Sequence, residues 1–244
     1  LNRCLSTFIL YLVDGIFEIT VDKRPRTFSI TTYFGFISSK IFKDYLYKSL
    51  KFHSNTSSAT LVRNIDKEVG ELLSKEDNII ARFNGQMEWG PRALGNRSIL
   101  ADPRDGKMKD ILNEKIKHRE PFRPFAPSIL EEYVSEYFDI NVTSPYMLLV
   151  APVKKPEKIP AVTHVDGTGR LQTVSKEANP LYYDLINKFY KITEVPVIVN
   201  TSMNVMGEPI VTSPEEAFKM WARTDMDNLV MGNYLISENL IDEF

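Results

Sequence analysis

Cysteine is almost missing from these 244 residues: Cys4 stands alone, so no internal disulfide can form and no cysteine-rich zinc site can be built. A chain without disulfides suits a reducing compartment. Histidine is nearly as scarce, and His53, His118 and His164 are too scattered for a His-x-x-His or His-x-x-x-His pair, so no structural metal is expected. Long apolar runs are lacking too. The run near FILYLV at 8–13 ends at Asp14, far short of the ~20 residues a membrane span needs. Arg3 precedes it, but no small-residue cleavage site follows, which argues against a secretory signal. Charge of one sign is lacking as well: a net charge of −2 excludes a polycation built to seek nucleic acid. What is present is ordinary for a globular protein, 43% hydrophobic and 25% charged residues with 14 Phe and 11 Tyr for a core. A soluble, cytoplasmic protein is expected, and a start without Met reads as the cut end of a longer one.

Along the chain, helical and strand-like patterns alternate. Helices are expected at 40–50, 59–74, 105–118 and 179–192, where apolar residues recur at helical spacing. Strands are expected at 78–83, 98–101, 125–130, 147–153 and 228–237, with a glycine-bent strand at 164–174. VPVIVN (195–200) is short and β-branched, the pattern of a strand buried on both faces. Ser213, Pro214 and Glu216 form a capping box that starts a helix running to about Ala222. The alternation predicts an α/β fold around a twisted mixed sheet with flanking helices.

Phosphate-binding signatures are absent: there is no Gly-x-x-x-x-Gly-Lys-Ser/Thr, no Gly-x-Gly-x-x-Gly and no Gly-x-Ser-x-Gly. Basic side chains would have to do what glycine-rich backbones do elsewhere. Residues 92–123 hold nine Lys or Arg against five Asp or Glu. Lys107 and Lys109 fit ordinary surface pairs with Asp110 and Glu114. Arg92 in GPRALGNRS and Arg123 in REPFRPFAP stand differently, on stretches stiffened by proline, where a planar fork suits bidentate phosphate recognition. Lys117 adds a point charge at a helix end. Asn200 and Ser202 follow a buried strand, the place where α/β proteins put ligands. Arg170 lies on a glycine-bent stretch, with Gln172 expected on the same face. Each of these also fits a plainer reading: a solvated turn around Arg92, a polar strand end at Asn200, a surface hairpin at Arg170.

Taken together, FNGQMEWGPRALGNRSILADPRD, LNEKIKHREPFRPFAPSIL, HVDGTGRLQTV and VNTSMNVMGEPIV resemble the C-terminal domain of the NodU/CmcH/TobZ carbamoyltransferases. The resemblance runs from about Thr31 to about Ser237 and implies a YrdC-like domain over residues 31–244, with 1–30 an unassigned N-terminal segment. It also implies that carbamoyl phosphate and ATP are converted to carbamoyl-adenylate, with Mg2+ accompanying the nucleotide. An N-terminal domain carrying a metal-binding histidine pair, missing here, would then pass the carbamoyl group to an acceptor hydroxyl. The family's intermediate-binding positions match Arg92, Lys117, Arg123, Arg170, Asn200 and Ser202. Arg97 is expected to support the loop, and His118, beside Lys117, is a further candidate acid or base. Two other readings stand beside this one: a non-catalytic nucleotide- or RNA-binding module using the same basic cleft, and a domain that only docks on the missing half.

Overall fold

The computed structural model describes residues 16–23, 26–33 and 57–238. The helix expected at 40–50 lies outside the described residues. Ten strands form one mixed sheet in the order β1-β2-β3-β12-β11-β4-β5-β10-β6-β9. These are β1 (Ile16–Lys23), β2 (Arg26–Tyr33), β3 (Ser57–Leu61), β4 (Ile80–Phe83), β5 (Arg97–Ala101), β6 (Ala126–Leu130), β9 (Gln172–Val174), β10 (Val197–Ser202), β11 (Asn228–Met231) and β12 (Tyr234–Glu238). A separate two-stranded sheet pairs β7 (Val150–Pro152) with β8 (Thr168–Arg170). The α/β fold with a mixed sheet and flanking helices expected from the sequence is the fold observed.

Ile80, Ala81, Ile99, Leu100, Val197, Ile198, Val199 and Leu229 are all fully buried, so the middle of the sheet is covered on both faces. This is why those strands read as continuous apolar runs rather than alternating ones. Helix α1 (Ile65–Leu73) crosses α4 (Pro180–Thr193) at Gly70, where a Cβ would lie 2.8 Å from the Lys188 Cβ. Only hydrogen fits that crossing. The short α2 (Met108–Ile111) runs into a π-helical turn, Leu112–Lys117, which ends at His118 in the left-handed region. α3 (Val134–Tyr137) is a single turn, and α5 (Pro214–Trp221) starts at the expected capping box, with both reciprocal hydrogen bonds made by Ser213 and Glu216. No described helix is long and apolar enough to cross a membrane.

Four local expectations need correction. The helix expected at 59–74 begins only at Ile65; Ser57–Leu61 is strand β3, because its apolar residues pair with β12 and β2. The strand expected at 228–237 is a hairpin, turned at Gly232 (φ 58°). The strand expected at 147–153 shrinks to β7 and belongs to the small sheet. Arg170 and Gln172, expected on one face, fall on two sheets, β8 and β9, which Leu171 separates.

Candidate functional site

The loop between β4 and β5, residues 84–96, is tied down from beneath by two arginines and one glutamate. Arg97 donates from Nη1 to the carbonyls of Asn84 (2.6 Å) and Asn96 (3.1 Å), and from Nη2 to that of Gly85 (3.0 Å). Its guanidinium lies 3.6 Å from the centre of the Phe83 ring. Arg82 donates to the Gly95 carbonyl at 2.5 Å and sits over Tyr182. Glu88 accepts from the backbone N–H groups of Leu94 (3.0 Å) and Asn96 (2.5 Å). Burial lowers the pKa of both arginines, and nearby Asp66 partly offsets this at Arg82. Arg97 therefore supports the loop. Arg82 does the same work and sequence reading missed it, although a charge inside the apolar strand IARF was a visible signal.

Clamping the loop places its carbonyls over the end of β10. Asn200, buried and paired in register with Leu100 and Ala126, donates from Nδ2 to the carbonyl of Ala93 (3.2 Å) and to Gln172 Oε1 (2.8 Å). β10 is an interior strand, flanked by β5 and β6. Asn200 is thus tied to the residue that follows Arg92.

Two residues on, Lys117 closes the end of the strand. Its Nζ donates to the carbonyls of Ser202 (2.5 Å) and Asn204 (2.8 Å) and to Asn204 Oδ1 (3.0 Å), so all three ammonium hydrogens are engaged. Ser202 Oγ donates to the same Asn204 Oδ1 at 2.6 Å. Asn204 had no place in the sequence reading, because its partner lies 87 residues away. Burial, helped by the charge of Arg119, pushes the Lys117 pKa down to about 7. The sign follows. Between about pH 7 and the ordinary lysine value of 10.5, the unfolded chain holds this proton and the folded chain does not, so Lys117 makes stability rise with pH across that window. An activity that uses the ammonium charge should fall across the same window. We expect opposite slopes in a pH series of denaturation midpoint and rate, both lost in Lys117→Met; slopes of the same sign would exclude a cationic role.

The remaining cations come from three segments. Arg92 is exposed on the clamped loop, Arg170 ends β8, and Arg119 and Arg123 follow the π-helical turn. Arg170 Nε is buried without a partner. Burial first, then the charges of Arg92 and Arg119, lower the Arg170 pKa. Burial and then Arg123 lower that of Arg119, with Glu120 opposing. Repulsion thus links Arg92 to Arg170, Arg170 to Arg119, and Arg119 to both Arg123 and Lys117. Arg119 was not singled out from sequence; here its Nε donates to Asn113 Oδ1 (2.7 Å) and it stacks on Phe125. Arg123, expected in stiff and partly apolar surroundings, is instead exposed, with its Nε 2.9 Å from Glu120. His118 has an exposed ring and supplies the left-handed backbone that ends the turn. Of the residues expected from the sequence, the structure ties Lys117 to Ser202 and Asn200 to the residue after Arg92 and sets the charges of Arg92 and Arg170 against each other, while Arg123 reaches this group only through Arg119. Arg97 sits beneath the loop.

A polyanion is what such a set of cations can hold. The model of a family described as "Carbamoyltransferase C-terminus" matches residues 71–238. An uncharacterized protein of Synechocystis sp. is 47% identical over 183 residues, 66% of this chain and 30% of that protein. Nodulation protein NolO of Bradyrhizobium diazoefficiens is 50% identical over 163 residues (65% and 30%), and nodulation protein U of Sinorhizobium fredii 40% over 160 (65% and 27%). The chain therefore spans less than a third of the length of these relatives. Among solved structures, the crystal structure of T. kodakarensis HypF aligns at a TM-score of 0.44 and 20% identity, over 63% of this chain and 19% of that one. That likeness is too slight to build on.

Proposed function

Because this chain belongs to the carbamoyltransferase C-terminus family, we propose that it is the activating part of an O-carbamoyltransferase, forming carbamoyl-adenylate from carbamoyl phosphate and ATP. One observation carries the reading: five cations from three segments are linked by repulsion, Arg92 to Arg170, Arg170 to Arg119, and Arg119 to Arg123 and Lys117, in a fold that also buries an unpartnered amide oxygen on Asn200. Holding like charges together costs folding free energy and makes sense where a polyanion is to be bound. ATP and carbamoyl phosphate together carry about six negative charges near neutral pH, and they share a pocket only if that repulsion is offset.

The roles follow from chemistry. Overall, carbamoyl phosphate, ATP and one water give carbamoyl-adenylate, phosphate and pyrophosphate, so each substrate loses a phosphate-derived leaving group. Such a reaction needs positioning and charge neutralisation more than covalent help. Arg92 and Arg123 take phosphate oxygens. Lys117, its hydrogens already engaged, acts as a buried charge toward the departing phosphate or pyrophosphate. Asn200 and Ser202 hydrogen-bond the carbamoyl group and Arg170 orients the adenylate, while Arg97 holds the loop and His118 is left as a candidate proton carrier. Mg2+ would arrive on the nucleotide's phosphates, where it neutralises charge. The described residues offer no group of three side chains able to cage it, and no step here is routed through it.

Transfer to an acceptor hydroxyl would belong to a further domain, for which the longer relatives have room, with YrdC-like residues 31–244 as the activating domain. Trp89, Phe122 and Leu148, large and well exposed near Arg92, Arg123 and β7 in the chain, fit a surface that another domain covers. The test is carbamoyl-phosphate-dependent release of pyrophosphate from ATP by this chain. Slow release is expected, because no partner domain takes the adenylate away, and no acceptor should be carbamoylated. Release that does not depend on carbamoyl phosphate would leave a nucleotide- or RNA-binding or docking module instead.

A further inference from the structure

The hydrogen-bond directions around Asn200 are fixed by two backbone carbonyls, and they leave one acceptor over. A carbonyl can only accept, so Asn200 must turn Nδ2 to Ala93 (3.2 Å), and Gln172 must turn Nε2 to Leu94 (2.9 Å). Gln172 Oε1 then accepts from Asn200 Nδ2 at 2.8 Å and from Ser128 Oγ at 2.6 Å. Ser128 Oγ in turn accepts from the Tyr182 hydroxyl at 2.9 Å. Both Asn200 amide protons and both hydroxyl protons in this buried chain have a place. Asn200 Oδ1 alone has no partner. Flipping the Asn200 amide would set its oxygen against Ala93 O and Gln172 Oε1 together, so the orientation is locked.

We propose that Gln172 is a positioning residue that holds the Asn200 amide with its oxygen toward the ligand. The site thereby selects an acyl phosphate whose acyl group donates an N–H, a carbamoyl group, over a near-isostere that cannot, an acetyl group. This inference rests on the proposed function and adds the origin of its selectivity. The carbamoyl NH2 supplies the donor that Asn200 Oδ1 lacks. The acetyl methyl of the same size would leave a buried oxygen unpaired, and sites built to hydrogen-bond a polar group reject such analogues strongly. The signal lies outside the sequence, because Gln172 and Asn200 meet only through the packing of β9, β6 and β10.

The test is calorimetric titration of this chain with carbamoyl phosphate and with acetyl phosphate. Wild type should prefer carbamoyl phosphate by about 100-fold or more. Gln172→Met, of similar volume but unable to accept, should lose at least about tenfold of that preference. Gln172→Glu still accepts from Asn200 and Ser128 and should keep the preference, even if its overall affinity for anions falls. A residue that merely filled space would behave the other way, since a buried glutamate disturbs packing and charge more than methionine does. Equal affinity of wild type for the two ligands overturns the inference and leaves the proposed function standing. A preference undiminished in Gln172→Met, or lost in Gln172→Glu, overturns it as well. Should Gln172→Met not fold, the wild-type ratio and Gln172→Glu still decide. If wild type binds no carbamoyl phosphate, the proposed function falls and this inference with it.

Discussion

Arg92→Ala should take carbamoyl-phosphate-dependent pyrophosphate release down by about 10²–10³-fold, effectively to background, while leaving the fold intact. Arg92 is exposed, so truncating it opens no cavity. Its charge presses on Arg170, whose pKa it lowers, so removing it relieves a repulsion that the folded state otherwise bears. The denaturation midpoint should therefore stay level or rise. Activity and stability moving apart in this way distinguish a ligand-facing charge from a structural one. Retention of most of the activity in Arg92→Ala, measured where the variant is folded, would remove Arg92 from the site.

Gly95→Ala should do the reverse and damage the fold itself. Gly95 has φ 121°, a region that essentially only glycine adopts, and that alone costs about 1–3 kcal/mol for alanine. A Cβ there would also lie 2.6 Å from ring atoms of Tyr182. Tyr182 cannot move aside: it is fully buried, donates to Ser128 and has Arg82 over its ring. Overpacking of this kind adds about 1–3 kcal/mol. The sum, roughly 2–6 kcal/mol, is a large part of the ~5–15 kcal/mol that holds a typical domain together. Urea denaturation is the measurement, and a change below about 1 kcal/mol would mean that the loop does not seat against Tyr182.

These two residues lie three apart in GPRALG, and only one of them could be read from the sequence. Arg92 is conspicuous by its type. The demand on Gly95 comes from a tyrosine 87 positions away, and no local pattern announces it. The same division runs through the fold. The capping box at Ser213 and the strand through Val197–Val199 were legible because their causes are local: a side chain reaching three residues, and an unbroken β-branched run. Strand β3 was misread because Leu61, Ile65 and Val69 also satisfy helical spacing, and only pairing with β12 and β2 decides between the two. The hairpin at Gly232 hid inside a continuous apolar stretch. Among candidate site residues, the cations stand out by residue type, whereas Arg82, Asn204 and the role of Gln172 depend on partners that the fold alone brings near.

The π-helical turn at Leu112–Lys117 has a consequence for how this site can change over evolutionary time. A π turn is an α-helix with one residue too many, and each residue in a helix advances the chain by about 100° around the axis. The extra residue sets the phase of everything downstream. Lys117 meets the oxygens of Ser202 and Asn204, and the Arg119–Arg123 segment leaves in its observed direction, only with that residue retained. Deleting one residue between 112 and 116 would give a more regular helix, yet it would swing the lysine about a quarter-turn away from β10. Helical regularity and the aim of Lys117 therefore oppose each other here, and the observed turn keeps the aim.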